Sequence, residues 1–356
     1  MRRLIIAAVI LWALARPVLA AQQLPRELLR AAPEAAGALR EMDGGLSLPE
    51  ALSGLMEDGV SAAGRHLTAG LRRASMLAAG VLLLSFVDVM AGRGDEGVRG
   101  AVTLAGTLWI TAVTAGEVEA MMGLGRAAVE QLALVSKLLV PAMATAAAAS
   151  GSVTAAGAFQ AAAVLFSDIL LSMIQKLLLP GVYIYTGLCA ASAVLEGTVL
   201  EKLALFLKRG ITWSLCTLMG GYTAFLTLSG AAAGAADRRM VQAAKTVFSA
   251  AVPVVGRVLS EAAETLLAGA GLLQATLGTF GALAVVSICA APVLRLGGQY
   301  LLYQGAALAA SFGGAKELGK LLERLSGAFA LVLAMTAAAA VLLVISIISV
   351  LKVAVI

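Results

Sequence analysis

One carboxylate stands near the middle of a long apolar run. Asp168 lies in the stretch Gly157–Gln175, next to Ser167. A charge in hydrocarbon is costly, so an ionisable side chain at that depth has two readings. It belongs to a polar pathway or ligates an ion, or it is a protonated or hydrogen-bonded carboxyl on a helix contact. The sequence leaves both open. Glu117, Glu119, Lys176 and Glu196 stand near the ends of apolar runs, where long side chains reach back to water. Arg257 with Glu261 and Glu264 falls at helical spacing, which suits local ion pairing.

Little else in the chain could do chemistry. There is no G-x-S-x-G, no H-E-x-x-H and no phosphate-binding glycine loop. The single histidine, His66, precedes the apolar body, so imidazole proton relays are excluded from that body. Cys189, Cys216 and Cys289 sit far apart in apolar stretches and form no C-x-x-C pair, so they read as small hydrophobes. No catalytic residue, cofactor or metal is expected, and the chain is not read as an enzyme. The net charge is +5, with basic residues between apolar runs and no basic–aromatic interleaving. That pattern suits membrane flanks rather than a nucleic acid.

Whatever holds Asp168 must therefore be membrane helix. Hydrophobic residues make up 60% of the chain and charged residues 13%, and the mean hydropathy is +0.95. A soluble domain carries about twice that charge fraction. Aromatics are only 5%, against 38 glycines. Small residues let helix backbones approach closely in lipid, where packing replaces the hydrophobic drive. The expected fold is all-α, a polytopic transmembrane helical bundle.

The chain divides into five parts. Residues 1–20 form an export signal: Arg2 and Arg3, an apolar core from Leu4 to Leu14, then Val18-Leu19-Ala20 before Ala21. Residues 21–73 form an extracytoplasmic helical segment. In it, Ser47-Leu48-Pro49-Glu50 fits a capping box, and Leu48, Leu52, Leu55 and Met56 follow at helical spacing. Residues 74–123 form a transmembrane hairpin around the polar turn 93–99. With the N-terminus exported, the first span runs inward and that turn is cytoplasmic, as Arg93 and Arg99 suggest.

Residues 124–240 and 241–356 read as two membrane repeat units. Pro141 and Pro253 stand 112 positions apart, as do Pro180 and Pro292. Gly157 and Gly269, Leu165 and Leu277, and Leu171 and Leu283 share that offset. Glu201–Leu218 resembles Lys316–Leu333, with Arg209 facing Arg324 at a slightly longer offset. An internal duplication of about 112 residues is the expectation. The proline-bearing pieces Val135–Ala149 and Thr246–Val258 either cross the membrane, which makes the repeats parallel, or form re-entrant hairpins, which inverts them. Proline within a short apolar piece favours the hairpin.

The segment from Lys245 to Ala262 carries a family resemblance. Lys245-Thr246-Val247-Phe248, then Val252-Pro253-Val254-Val255-Gly256-Arg257-Val258-Leu259-Ser260-Glu261-Ala262, resembles the most characteristic stretch of the stage III sporulation protein AE family. That family's export signal, short extracytoplasmic segment and multi-span body fit nearly the whole chain. The resemblance implies an integral membrane component of a channel or secretion-like complex between mother cell and forespore, required for late forespore development. Its implied partners are the lipid bilayer and other membrane proteins of that complex, and homo-oligomerisation stays open. Its implied place is the mother-cell membrane around the forespore, with the mature N-terminus outside the cytoplasm. The second functional reading is a secondary-transporter-like permease for a small metabolite, by analogy with broken-helix transporters. Candidate intramembrane functional residues are Asp168, Pro141, Pro253, Gly256, Pro180 and Pro292.

Overall fold

The computed structural model describes residues 25–43, 47–90, 96–149, 165–166, 168–194, 198–251, 255–312 and 316–354. The export signal (1–20) and Pro253 lie outside the described residues. Among the described residues there is no strand.

Two short helices, α1 (Arg26–Ala31) and α2 (Pro33–Asp43), precede the long ones. The long helices are α3 (Leu48–Met90), α4 (Glu96–Ala149), α5 (Leu179–Val194), α6 (Thr198–Ala251), α7 (Val255–Phe312) and α8 (Lys316–Ala354). Residues 168–173 are helical and run through a π-helical turn, Ile174–Leu178, directly into α5. At 1.5 Å per residue, the 58-residue α7 is about 87 Å long. A bilayer core is about 30 Å thick and takes about 20 residues, so α3, α4, α6, α7 and α8, of 39 to 58 residues, are each far longer than one crossing needs.

The start of α3 shows why a helix begins there. The Ser47 backbone N–H and hydroxyl both donate to the Glu50 carboxylate, at 2.9 and 2.7 Å, and the Ser47 carbonyl accepts from the Ala51 N–H. This is the Glu50 half of the expected capping box, in which the N3 carboxylate reaches back to the N-cap N–H. The Ser47 hydroxyl and then its N–H hold the Glu50 carboxyl below the ordinary value of 4.5. A carboxylate with a depressed folded-state pKa stabilises above its unfolded value, and that support is lost as pH falls through the folded one. Amide protection over the first turn of α3 is therefore expected to be full at neutral pH. It should drop in acid as pH falls below the ordinary Glu value of 4.5, and Ser47→Ala should weaken the pH dependence, because it removes the hydroxyl donor and keeps the backbone N–H. Hydrogen exchange of the full chain followed by proteolysis reads both effects.

Successive long passes alternate in direction. Gly80 abuts Trp109, and Gly106 abuts Leu84, so α3 and α4 are antiparallel. Gln175 bonds Glu130 while Asp168 pairs with Lys137, so the pass through α5 runs down α4. Tyr303 reaches Glu117 and Gly281 abuts Leu139, so α7 also opposes α4. Gly106 and Gly125 of α4 meet Leu318 and Val332 of α8, which makes those two parallel. The helices α7 and α8 form the most extensive pair, and α3 and α4 pack around them. Several contacts are closed by glycines with no room for a methyl group. A Cβ on Gly59 would lie 2.5 Å from the Ala290 Cβ, and one on Gly125 would run into the Val332 side chain.

The structure corrects the expectation of a proline break. No break or hairpin occurs at Pro141: α4 passes through it and continues to Ala149. Pro180 and Pro292 likewise stand within continuous helical passes. Pro180 is exposed near the start of α5, just after the π turn, and Pro292 is buried inside α7. A proline deletes the bond to the carbonyl four residues back, and membrane helices tolerate it where local π adjustment or neighbours re-satisfy that group. The π turn directly before Pro180 is such an adjustment. The segments related by the 112-residue offset also run in one direction, since both the α5 pass and α7 oppose α4. Similarly α6 and α8 are parallel, with Lys208 beside Gly327 and Tyr222 bonded to Ser346. An origin of these pieces in a duplication remains a proposal.

Candidate functional site

Three tyrosines are fully buried: Tyr185, Tyr222 and Tyr303. A buried phenol needs a partner for its hydroxyl, and in each case that partner lies on another helix. Tyr185 donates to the Arg324 carbonyl at 2.8 Å, joining α5 to α8. The Tyr222 hydroxyl pairs with that of Ser346, joining α6 to α8. Tyr303 donates to the Glu117 carboxylate at 2.5 Å, joining α7 to α4.

The third contact is the chemically distinctive one. Glu117 is only 5% exposed and lies inside the apolar stretch Leu104–Ala146. Its Oε2 accepts from the Tyr303 hydroxyl and from the Gln299 side-chain amide, both at 2.5 Å. Gln299 and Tyr303 are one turn apart on α7, so one face of that helix presents both donors. The Tyr303 ring is in turn fixed against Phe329 of α8, with ring centroids 4.9 Å apart. Converging donors are what a buried carboxylate requires, because a charged or polar group without them costs several kcal/mol. Further along the same helix lie Thr107, Thr111 and Thr114. Thr107 is buried and, like the part-buried Thr111, has no hydrogen-bond partner for its hydroxyl among the described residues; Thr114 bonds the Ile110 carbonyl. The interior face of α4 is therefore polar over three turns within an apolar bundle.

The residues singled out from the sequence do not gather there. Asp168 forms an ion pair with Lys137 at 2.8 Å, with side chains 53% and 48% exposed. Gln175 donates to Glu130, which also pairs with Arg126, both at 2.9 Å. Together they make a polar ladder on the outer surface between α4 and the α5 pass. An exposed ion pair contributes at most about 1 kcal/mol. Asp168→Asn is accordingly expected to shift unfolding by less than that, and Lys137→Gln by a similar amount, in a detergent melt of the full chain. Pro141, Pro180 and Pro292 lie on three different helices, and Gly256 is in the first turn of α7.

Snorkelling from a span end does not describe Glu117, which the structure buries between helices. The signal that could have found it is pairing. Gln299 and Tyr303 are polar residues four apart in an apolar run, spaced to face one partner. All three cysteines are free: Cys189 and Cys289 are buried and Cys216 is exposed. Among the described residues, no group of three His, Cys, Asp or Glu side chains could hold a metal ion.

Four described helical stretches are long and apolar enough to cross a membrane: Leu104–Ala146, Asp168–Ala193, Ala275–Phe312 and Glu317–Ile347. Antiparallel helices of that kind, closed by glycines and joined by buried polar contacts, define an integral membrane protein of the helical class. Residues 72–354 match the family described as Stage III sporulation protein AE, and the chain belongs to that family. It is 24% identical over 169 residues to the Stage III sporulation protein AE of Bacillus subtilis (strain 168), across 48% of this chain and 42% of that protein. The matched region thus spans less than half the length of that relative. No solved structure matches. The protein is a sporulation-associated membrane protein.

Proposed function

We propose that this chain is a membrane subunit of a channel or secretion-like complex linking mother cell and forespore, required for late forespore development. The family match over residues 72–354 carries this reading. In it the protein resides in the mother-cell membrane around the forespore, with its mature N-terminus outside the cytoplasm and other membrane proteins as partners. It acts without catalysis. The helices α3, α5 and α7 run in the same direction, so their last residues, Met90, Val194 and Phe312, lie at one end of the bundle. With the N-terminus exported, that end faces the cytoplasm. Lys202, Lys208, Arg209 and Lys320, in the early turns of α6 and α8 that start from that end, agree with the positive-inside preference.

The experiment is purification of the native complex from sporulating cells, with identification of its subunits. Co-purifying membrane proteins, and forespores that stall late when the gene is deleted, are the expected results. A chain that purifies alone from cells sporulating normally without it would sink the proposal.

A second reading, a permease for a small metabolite acting within or apart from that complex, is favoured by the buried Glu117–Gln299–Tyr303 contact. Ionisable groups inside membrane spans commonly mark solute or proton paths. Under it, Glu117 is the principal intramembrane residue and Asp168 a second one on the outer ladder. Complementation of a deletion strain by Glu117→Gln and Asp168→Asn tests both, and normal spore yield with each removes the permease reading.

A further inference from the structure

The first turns of α6 carry a regular exposed stripe. Lys202, Phe206, Arg209 and Trp213 follow one another at helical spacing of four, three and four residues, so they share one face. Phe206 is 74% and Trp213 71% exposed, and both basic side chains are exposed. Val199 and Leu203 widen the apolar part of that face. Neither Lys202 nor Arg209 makes an ion pair among the described residues. The nearby carboxylate of Glu201 is taken by Arg324 at 2.7 Å, and the Arg324 guanidinium also donates to Ser192 at 2.9 Å. The stripe is thus left with two uncompensated positive charges alternating with two large aromatic rings.

We propose that this stripe binds the phosphate headgroups of anionic phospholipids at the bilayer surface. Each part matches what that ligand demands. Aromatic rings prefer the headgroup level, where an apolar body meets a polar surface. Lys and Arg bury their stems on apolar surface and place their charge at the phosphate. The apolar continuation, Ile211 and Leu215, turns into the bundle core, so the stripe is the outward face of a helix already anchored by its other side. Tyr222, farther along, fixes that side to Ser346 of α8. A basic residue near an anionic surface contributes an attraction of about fivefold in binding, so removing two is expected to lower retention by more than tenfold.

The test uses the full-length chain solubilised in a mild detergent, with phosphatidylglycerol or phosphatidylcholine added at equal mole fraction, and counts bound lipid by native mass spectrometry. The wild type should retain phosphatidylglycerol in preference to phosphatidylcholine, and the preference should weaken with salt. Lys202→Gln with Arg209→Gln should abolish the preference, and Arg209→Gln alone should lower it. Both substitutions are on exposed positions, and circular dichroism confirms the helical content. Lys176→Gln, an exposed cation elsewhere, should leave it intact. Inorganic phosphate at millimolar concentration should not compete, because it lacks acyl chains. Equal retention of the two lipids by the wild type would overturn the proposal. So would a preference that survives the double substitution, or one lost equally in Lys176→Gln. A double substitution that instead converts a dimer to a monomer, with lipid retention unchanged, assigns the stripe to a second copy and also overturns it.

Discussion

Glu117→Ala is expected to lower the stability of the purified chain by about 2–4 kcal/mol, a larger loss than any other single polar substitution in the bundle should cause. Each donor left facing a void costs about 1–3 kcal/mol when buried. Gln299 and Tyr303 are both buried and both aim at the same oxygen. Tyr303→Phe removes one donor and keeps the ring on Phe329, so it should cost about 1 kcal/mol. Glu117→Gln keeps one acceptor oxygen in place but replaces the other with an amide donor, and should fall between the two. Urea unfolding of the full chain in mixed micelles gives all three values on one scale. Equal stability of Glu117→Ala and the wild type would mean that the carboxylate holds α4 to α7 far less tightly than its geometry indicates.

The second large effect has a sign that separates packing from local preference. Gly59→Ala replaces the poorest ordinary helix former with the best, and helix propensity alone forecasts a gain of about 1 kcal/mol. Packing forecasts the reverse. A Cβ on Gly59 would fall 2.5 Å from the Ala290 Cβ and 3.5 Å from the Ala290 backbone carbonyl carbon. No flexible side-chain end can yield there, so α3 and α7 must move apart. Such overpacking costs about 1–3 kcal/mol, and a net destabilisation is expected. Adding Ala290→Gly to Gly59→Ala moves the methyl group from one helix to the other and should restore most of the loss. The double-mutant cycle should then give a coupling of at least about 1 kcal/mol. A stabilised Gly59→Ala chain would show that α3 and α7 are not in contact at this point.

Much of the architecture is legible along the chain. Composition alone implies helices packed through small residues, and the glycines at 59, 106, 125 and 281 close such contacts. The Glu50 carboxylate reaches back to the Ser47 N–H as the capping-box spacing implies. A proline deletes one hydrogen bond wherever it stands, but whether the helix stops depends on what surrounds the freed carbonyl. That is why Pro141 reads as a break in sequence, yet α4 continues through it. The site is less legible still. Asp168 stands out because its neighbours in sequence are apolar, but its neighbour in space is Lys137 at the surface. Glu117 does not stand out, because its partners are about 180 residues away on another helix.

The sequence by itself determined the class of protein, since apolar length and charge content are local sums that no folding can alter. It also determined where α3 starts, because a capping box is complete within four residues. Its segment 245–262 carried the family resemblance. Only the tertiary structure decided which ionisable group is buried, that the passes alternate around α7 and α8, and that Lys202, Phe206, Arg209 and Trp213 are left facing outward. Burial is a property of what lies opposite a side chain. For these helices the opposite partner lies tens to hundreds of residues away, where pattern along the chain carries no information about it.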